Sequence, residues 1–414
     1  MPLLNNISLK KFNNSSIFYL LQVGFLSLWI SPFIVSLTTF FSLVYVVLTF
    51  NNYSDKRVKV VCYLSFIILL THLASMGIYG ASDTLFSKLL LVVGFIALLS
   101  SSFLVFDAKK NHLILFSLVI SGIVFVINIY AITNYLVHKA HYDALLLQSK
   151  SIPIPNMHHI HFGIINACIL FLLLGLLVQK KIPKIWHRNL AKIMLVVIAI
   201  SFHILSSRTG LLSFYVGAFV SVIAYSIQKR SYSILLYSFL SIIITLGLSV
   251  QYSDSFRNKI KNSLEDYNSW GKGDEINHKS MGMRIEASTM AIHVIKAYPF
   301  GVGIEKKEQA LQAMYVKKNT PLDLENRIGP HNQFLDYGMK FGWIGIGILL
   351  IFFISLIPLI QNASFPMLGI SVVFLVALFF ESLFERQTSI FTFCMFIPLF
   401  YSLFGFGSVI MNKK

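Results

Sequence analysis

The chain has 414 residues, 56% of them hydrophobic and only 12% charged, with 37 phenylalanines and a mean hydropathy of +0.72. That composition excludes a water-soluble surface and makes a bilayer the solvent for most of the chain. A net charge of +17 would suggest nucleic acid in a soluble protein, but here the basic residues sort by loop and mark topology, so no nucleic-acid partner is read.

Lys10 and Lys11 precede a long apolar stretch as in a signal peptide. No small-residue cleavage site follows, and the stretch reads as an uncleaved first helix. Apolar segments able to cross about 30 Å of hydrocarbon fall near 16–31, 33–50, 58–79, 86–106, 112–136, 160–179, 190–206, 210–227, 232–250, 333–360, 364–382 and 389–410. Ser31 and Pro32, between the first two, leave open one kinked helix or two short ones. The expectation is an all-α polytopic membrane protein with about 12 transmembrane helices: residues 1–250 hold spans one to nine, 251–332 form a large external loop, and 333–414 hold the last three. Cys62, Cys168 and Cys394 each lie in apolar runs without CxxC spacing, so neither a disulfide nor a metal knuckle is expected.

Positively charged short loops stay in the cytoplasm. Sixteen Lys and Arg (10, 11, 56, 57, 59, 109, 110, 180, 181, 184, 188, 192, 229, 230, 413, 414) fall on one side, against five in the short loops opposite: Lys88, Lys139, Lys150, Arg208 and Arg386. Both termini are therefore placed in the cytoplasm. The long loop carries twelve basic against ten acidic residues, the balance of a folded external segment. Within it, 284–296 and 304–317 read as amphipathic helices divided by Pro299-Phe300-Gly301-Val302-Gly303, with Ile304, Leu311 and Met314 on one face of the second.

Ionisable groups near a membrane are costly, so their placement is informative. Arg208 occupies the outer turn Ser207-Arg208-Thr209-Gly210; the alternative to a functional role is a lipid headgroup anchor. Arg284 stands where a loop helix begins, so its guanidinium and the free backbone N–H groups suit one phosphate; the alternative is a solvated surface charge. His331 lies where the loop re-enters the membrane, placed either for proton transfer or for structural hydrogen bonding. His158, His159 and His161 cluster at the outer end of the sixth span. With no carboxylate or thiolate motif beside them, acceptor or headgroup contact is preferred to metal. In 381–387, two carboxylates and Arg386 read as a local ion pair holding helix ends together.

His331-Asn332, nine residues, then Gly342-Trp343-Ile344-Gly345 resembles the signature of the bacterial O-antigen ligase family: His, then Asn, Ser or Gln, nine residues, Gly, two residues, and Gly, Thr or Tyr. The turn at Arg208, the loop Arg284 and the segment 381–387 are similar to features of the same family. The resemblance implies a GT-C-like, metal-independent glycosyltransferase without cofactor, moving a glycan from undecaprenyl diphosphate to lipid A-core on the periplasmic face of the bacterial inner membrane. Arg208 and Arg284 would then hold the diphosphate and His331 would be the general base, with Asn332, His158 and His161 as further substrate contacts. O-antigen polymerases and protein O-oligosaccharyltransferases share these motifs and remain alternatives. A transporter or lipid flippase is disfavoured because the acidic residues lie in loops or at span ends, Asp336 being marginal.

Overall fold

The computed structural model describes residues 14–49, 55–80, 83–147, 151–272, 275–360 and 364–405. Lys10, Lys11, Lys150, Lys413 and Lys414, used in the charge count, lie outside the described residues. The Ser31–Pro32 ambiguity resolves as a break: α1 (Asn14–Ser27) ends in a turn and α2 (Pro32–Thr49) starts on the proline, whose missing N–H costs nothing at a first helical position. Asp55 caps α3 (Lys56–Tyr79) by accepting the N–H of Arg57 at 2.8 Å, satisfying one of the otherwise open donors. The chain continues through α4 (Asp83–Ala108), α5 (Leu113–Val137), α6 (Lys139–Leu147), α7 (His159–Val178), α8 (Ile185–Leu205), α9 (Arg208–Lys229) and α10 (Tyr232–Tyr252). α11 (Asp254–Lys272), α12 (Ser280–Ala297) and α13 (Lys307–Lys317) precede α14 (Gln333–Ile354), α15 (Phe365–Phe380) and α16 (Gln387–Phe404).

Among the described residues there is no β-strand, and 10 helices are long and apolar enough to cross a membrane. α15, with 16 residues, is apolar but shorter, and α1, with 14, is the shortest of the helices that stand at the twelve expected positions. α7 is apolar on every side and buried along nearly its whole length, as a central helix must be. In α10 only Ser249 is buried, so its apolar surface faces lipid.

Alternate connections gather at the same end of the bundle. At one end Asn156 Nδ2 donates to Trp29 O at 2.8 Å, Gln387 reaches Ser36 at 2.9 Å and Tyr79 OH donates to Gly301 O at 3.2 Å. At the other, Lys109 Nζ donates to Ser15 Oγ at 2.6 Å and Tyr401 bonds Asp55. The segment between α10 and α14 sits at the first end with a core of its own, in which Ala287, Ala291 and Val294 of α12 meet Leu311 and Tyr315 of α13 and Met339 of α14. The two expected loop helices are present with longer or shifted bounds, and Leu311 and Met314 are buried together. α11 was not expected.

α14 is broken at Gly342, where φ is 67° and ψ −155°. The breaker Pro299–Gly303 docks into that break: Val302 N donates to Met339 O (2.9 Å), Gly303 N to Lys340 O (3.0 Å) and Trp343 N to Pro299 O (3.0 Å). A Cβ on Gly342 would fall 1.9 Å from Pro299 O. Only glycine tolerates both the dihedrals and the approach, so this signature glycine fastens the loop to the bundle.

Candidate active site

Arg208 owes its position to a close helix crossing. A Cβ on Gly210 would come within 2.6 Å of the Gly163 backbone, so the small residues let the start of α9 press against the start of α7. The left-handed Ser206 (φ 50°) ends α8 and Arg208 opens α9. Ser207 does not cap that helix, which leaves the first N–H groups of α9 open beside a half-buried guanidinium. Among the described residues no hydrogen bond or ion pair engages Arg208. Open N–H groups at the positive end of a helix dipole together with a guanidinium suit phosphate.

Asn332 caps α14: its Oδ1 accepts Phe334 N (2.9 Å) and Leu335 N (3.0 Å), and its Nδ2 donates to Phe379 O (3.1 Å). The side chain read as a substrate contact is thus occupied in joining α14 to the end of α15. The preceding His331 takes the uncommon left-handed conformation (φ 45°), which costs about 1–2 kcal/mol outside glycine. Its Nδ1 lies 3.2 and 3.3 Å from the two carboxylate oxygens of Glu381. A carboxylate only accepts, so Nδ1 carries the proton, and in the neutral ring Nε2 holds the free lone pair. The His331 side chain is 32% exposed and that of Glu381 6%, so the imidazole is reachable while the carboxylate that holds it is not.

Glu381 also draws in Arg284, whose Nη2 lies 3.7 Å from Oε2 and whose Nη1 donates to Phe380 O at 3.0 Å. Burial pushes the Glu381 carboxyl up, but the hydrogen bond and positive field of His331, with Arg284, outweigh it and hold it below the usual carboxylate range. The expectation for Arg284 needs correcting in detail. α12 begins at Ser280, one turn before Arg284, and its N-terminal Met281 N–H already donates to Asp266 Oδ2 at 3.0 Å. Arg284 therefore offers its remaining guanidinium N–H groups to a ligand without the helix end.

His158 joins the same cluster. Burial, with Arg386, Arg284 and His331 nearby, holds its pKa below the ordinary value, Glu381 opposing. His161 is buried and shares a hydrogen bond with Ser389 Oγ of α16 at 2.7 Å, a packing role that ties α7 to α16. Among the described residues no group of three or more His, Cys, Asp or Glu side chains could hold a metal.

The local ion pair expected within 381–387 does not form; both carboxylates reach across the bundle. Glu385 accepts Lys340 at 2.6 Å and Lys88 at 2.7 Å, while Asp336 accepts Lys340 at 2.5 Å and Lys307 at 2.6 Å. This chain of charges joins α4, α13, α14 and the turn before α16. Lys340, with a side chain 1% exposed, escaped the charge count because it lies inside the tenth span. Each buried carboxylate has two lysines, which leaves Asp336 a structural group.

Arg208, Arg284, His331, Asn332, His158 and His161 thus all lie at one end of the bundle, although only His331 and Arg284 share a direct partner. In the sequence Glu381 reads as a partner of Arg386; its pairing with His331, fifty residues away, carries no local signal. Residues 193–350 match the family model described as O-antigen ligase. The matched stretch contains Arg208, Arg284, His331, Asn332 and the broken part of α14. No curated protein matches the chain.

Proposed function

With residues 193–350 carrying the O-antigen ligase domain, which supports a ligase- or polymerase-type membrane glycosyltransferase, we propose that this protein transfers a glycan from undecaprenyl diphosphate to a sugar hydroxyl of lipid A-core at the periplasmic face of the inner membrane. The observation that carries the reading is the Glu381 carboxylate, which holds both the proposed base and a phosphate-binding guanidinium. With Nδ1–H directed at Glu381, His331 Nε2 takes the proton from the acceptor hydroxyl as its oxygen attacks the anomeric carbon. Glu381 stabilises the imidazolium that forms. The glycosyl–phosphate bond breaks as the new bond forms, and the diphosphate departs with charge that Arg208 and Arg284 neutralise. In this reading the protein's own cations do the work often given to a metal.

The test is deletion of the gene, with surface glycolipids separated on a gel and lipid-linked glycans extracted. A ligase defect leaves polymer on the carrier and bare core; normal long-chain lipopolysaccharide refutes the assignment. Single repeats attached to core would favour the polymerase instead.

A further inference from the structure

α11 turns polar side chains inward beside Phe256 and an apolar stripe outward beside the exposed Lys261 and Glu265. Ile260, Leu264 and Tyr267 recur at helical spacing yet are exposed, whereas Ser255, Lys259 and Asp266 on the opposite face are buried. Water would penalise that arrangement, but α11 follows directly on α10, whose apolar surface is exposed along its length, and a stripe of this kind suits a membrane interface. The inward polar face is fixed at two points. Ser255 Oγ donates to Ser206 Oγ at 3.2 Å, beside the turn that carries Arg208, and Asp266 accepts the Met281 N–H in the first turn of α12, the helix of Arg284.

Lys259 lies between these anchors, one turn beyond Ser255. It is 5% exposed, and its Nζ donates to Ser151 Oγ at 3.1 Å. Among the described residues no carboxylate pairs with it. Burial, with the repulsion of Arg208, pushes its pKa down to about 7. A buried ammonium beside a guanidinium and without a counter-ion is unfavourable unless an anion completes the site.

We infer that Lys259 is a third phosphate ligand, which binds the lipid diphosphate together with Arg208 and so distinguishes a diphosphate carrier from a monophosphate one. The inference rests on the proposed diphosphate donor. Charged or titratable groups on elements packed around α11 include His159 of α7, His203 of α8, whose ring meets Phe256, Arg208, Arg284, His141 and Asp143 of α6, the latter paired with Lys139, and, at its start, Asp254, already paired with Arg257 and Lys139.

The test uses the full chain in nanodiscs, with farnesyl diphosphate and farnesyl monophosphate as probes. Lys259→Met is expected to weaken the diphosphate about tenfold or more and the monophosphate less than about threefold, while Lys259→Arg stays near wild type. In a His159→Gln background, diphosphate affinity should fall toward tenfold between pH 7.5 and 8.5 with lysine and stay flat with Lys259→Arg, since only the lysine must take up a proton on binding. Unchanged diphosphate affinity in folded Lys259→Met overturns the inference and leaves the glycosyltransferase reading standing. Should that variant not fold, an identical pH slope in Lys259→Arg overturns it equally. Failure of the wild type to bind farnesyl diphosphate overturns both.

Discussion

In the proposed mechanism His331 is the base and Glu381 its anchor, and each makes a distinct prediction. His331→Ala should lower transfer by about 10²–10⁴-fold, the range for a lost general base, while the protein still inserts and folds; wild-type turnover in vesicles would remove the assignment. Glu381→Gln keeps the shape but loses the charge that steadies the imidazolium, so kcat should fall while donor KM changes little. A KM effect alone would mean that Glu381 serves only to hold Arg284. For Arg208, which has no protein partner among the described residues, Arg208→Lys should raise donor KM several-fold, because an ammonium cannot reproduce bidentate phosphate contacts. Unaltered kinetics would reduce it to a headgroup anchor. His331, Arg208 and Arg284 stand out as candidates in the sequence because motif spacing and topology both mark them. Glu381 was visible too, but was read as a neighbour of Arg386, since along the chain that is the nearest opposite charge.

The decisive elements are the interrupted ones. α14 breaks at Gly342 because Pro299–Gly303 occupies the gap, so the signature glycine and the loop breaker, separate features along the chain, form one joint. Gly342→Ala combines a disfavoured backbone region with a collision, and should cost about 1–3 kcal/mol from the backbone alone. It should release the segment 299–303 to proteases, and an unchanged digestion pattern would refute the joint. Lys340 holds the same helix from within: Lys340→Met leaves Asp336 and Glu385 without their shared partner and should destabilise by about 3–5 kcal/mol, read as a lowered unfolding temperature in detergent. α11 shows why a helix can be overlooked. Its charged residues looked like loop, since amphipathic periodicity says which residues share a face but not whether that face meets protein or lipid.

At the scale of the whole molecule, the bundle brings alternate connections together, and every proposed site residue lies at one end. The orientation proposed from charge can be read directly, because Cys62, Cys168 and Cys394 are buried and form a silent background. Gly329→Cys should react with an impermeant maleimide from the periplasmic side, and Ser231→Cys only after permeabilisation; the reverse pattern would invert the topology.

Membrane residence and the end at which the motifs collect came from the sequence alone, because hydropathy and charge bias are sums over neighbouring residues. The partner of His331, the inward turn of Lys259 and the seat of Pro299–Gly303 on α14 were decided only by tertiary structure. Each depends on which helices touch across fifty residues or more, and on whether a face is turned toward protein or toward lipid.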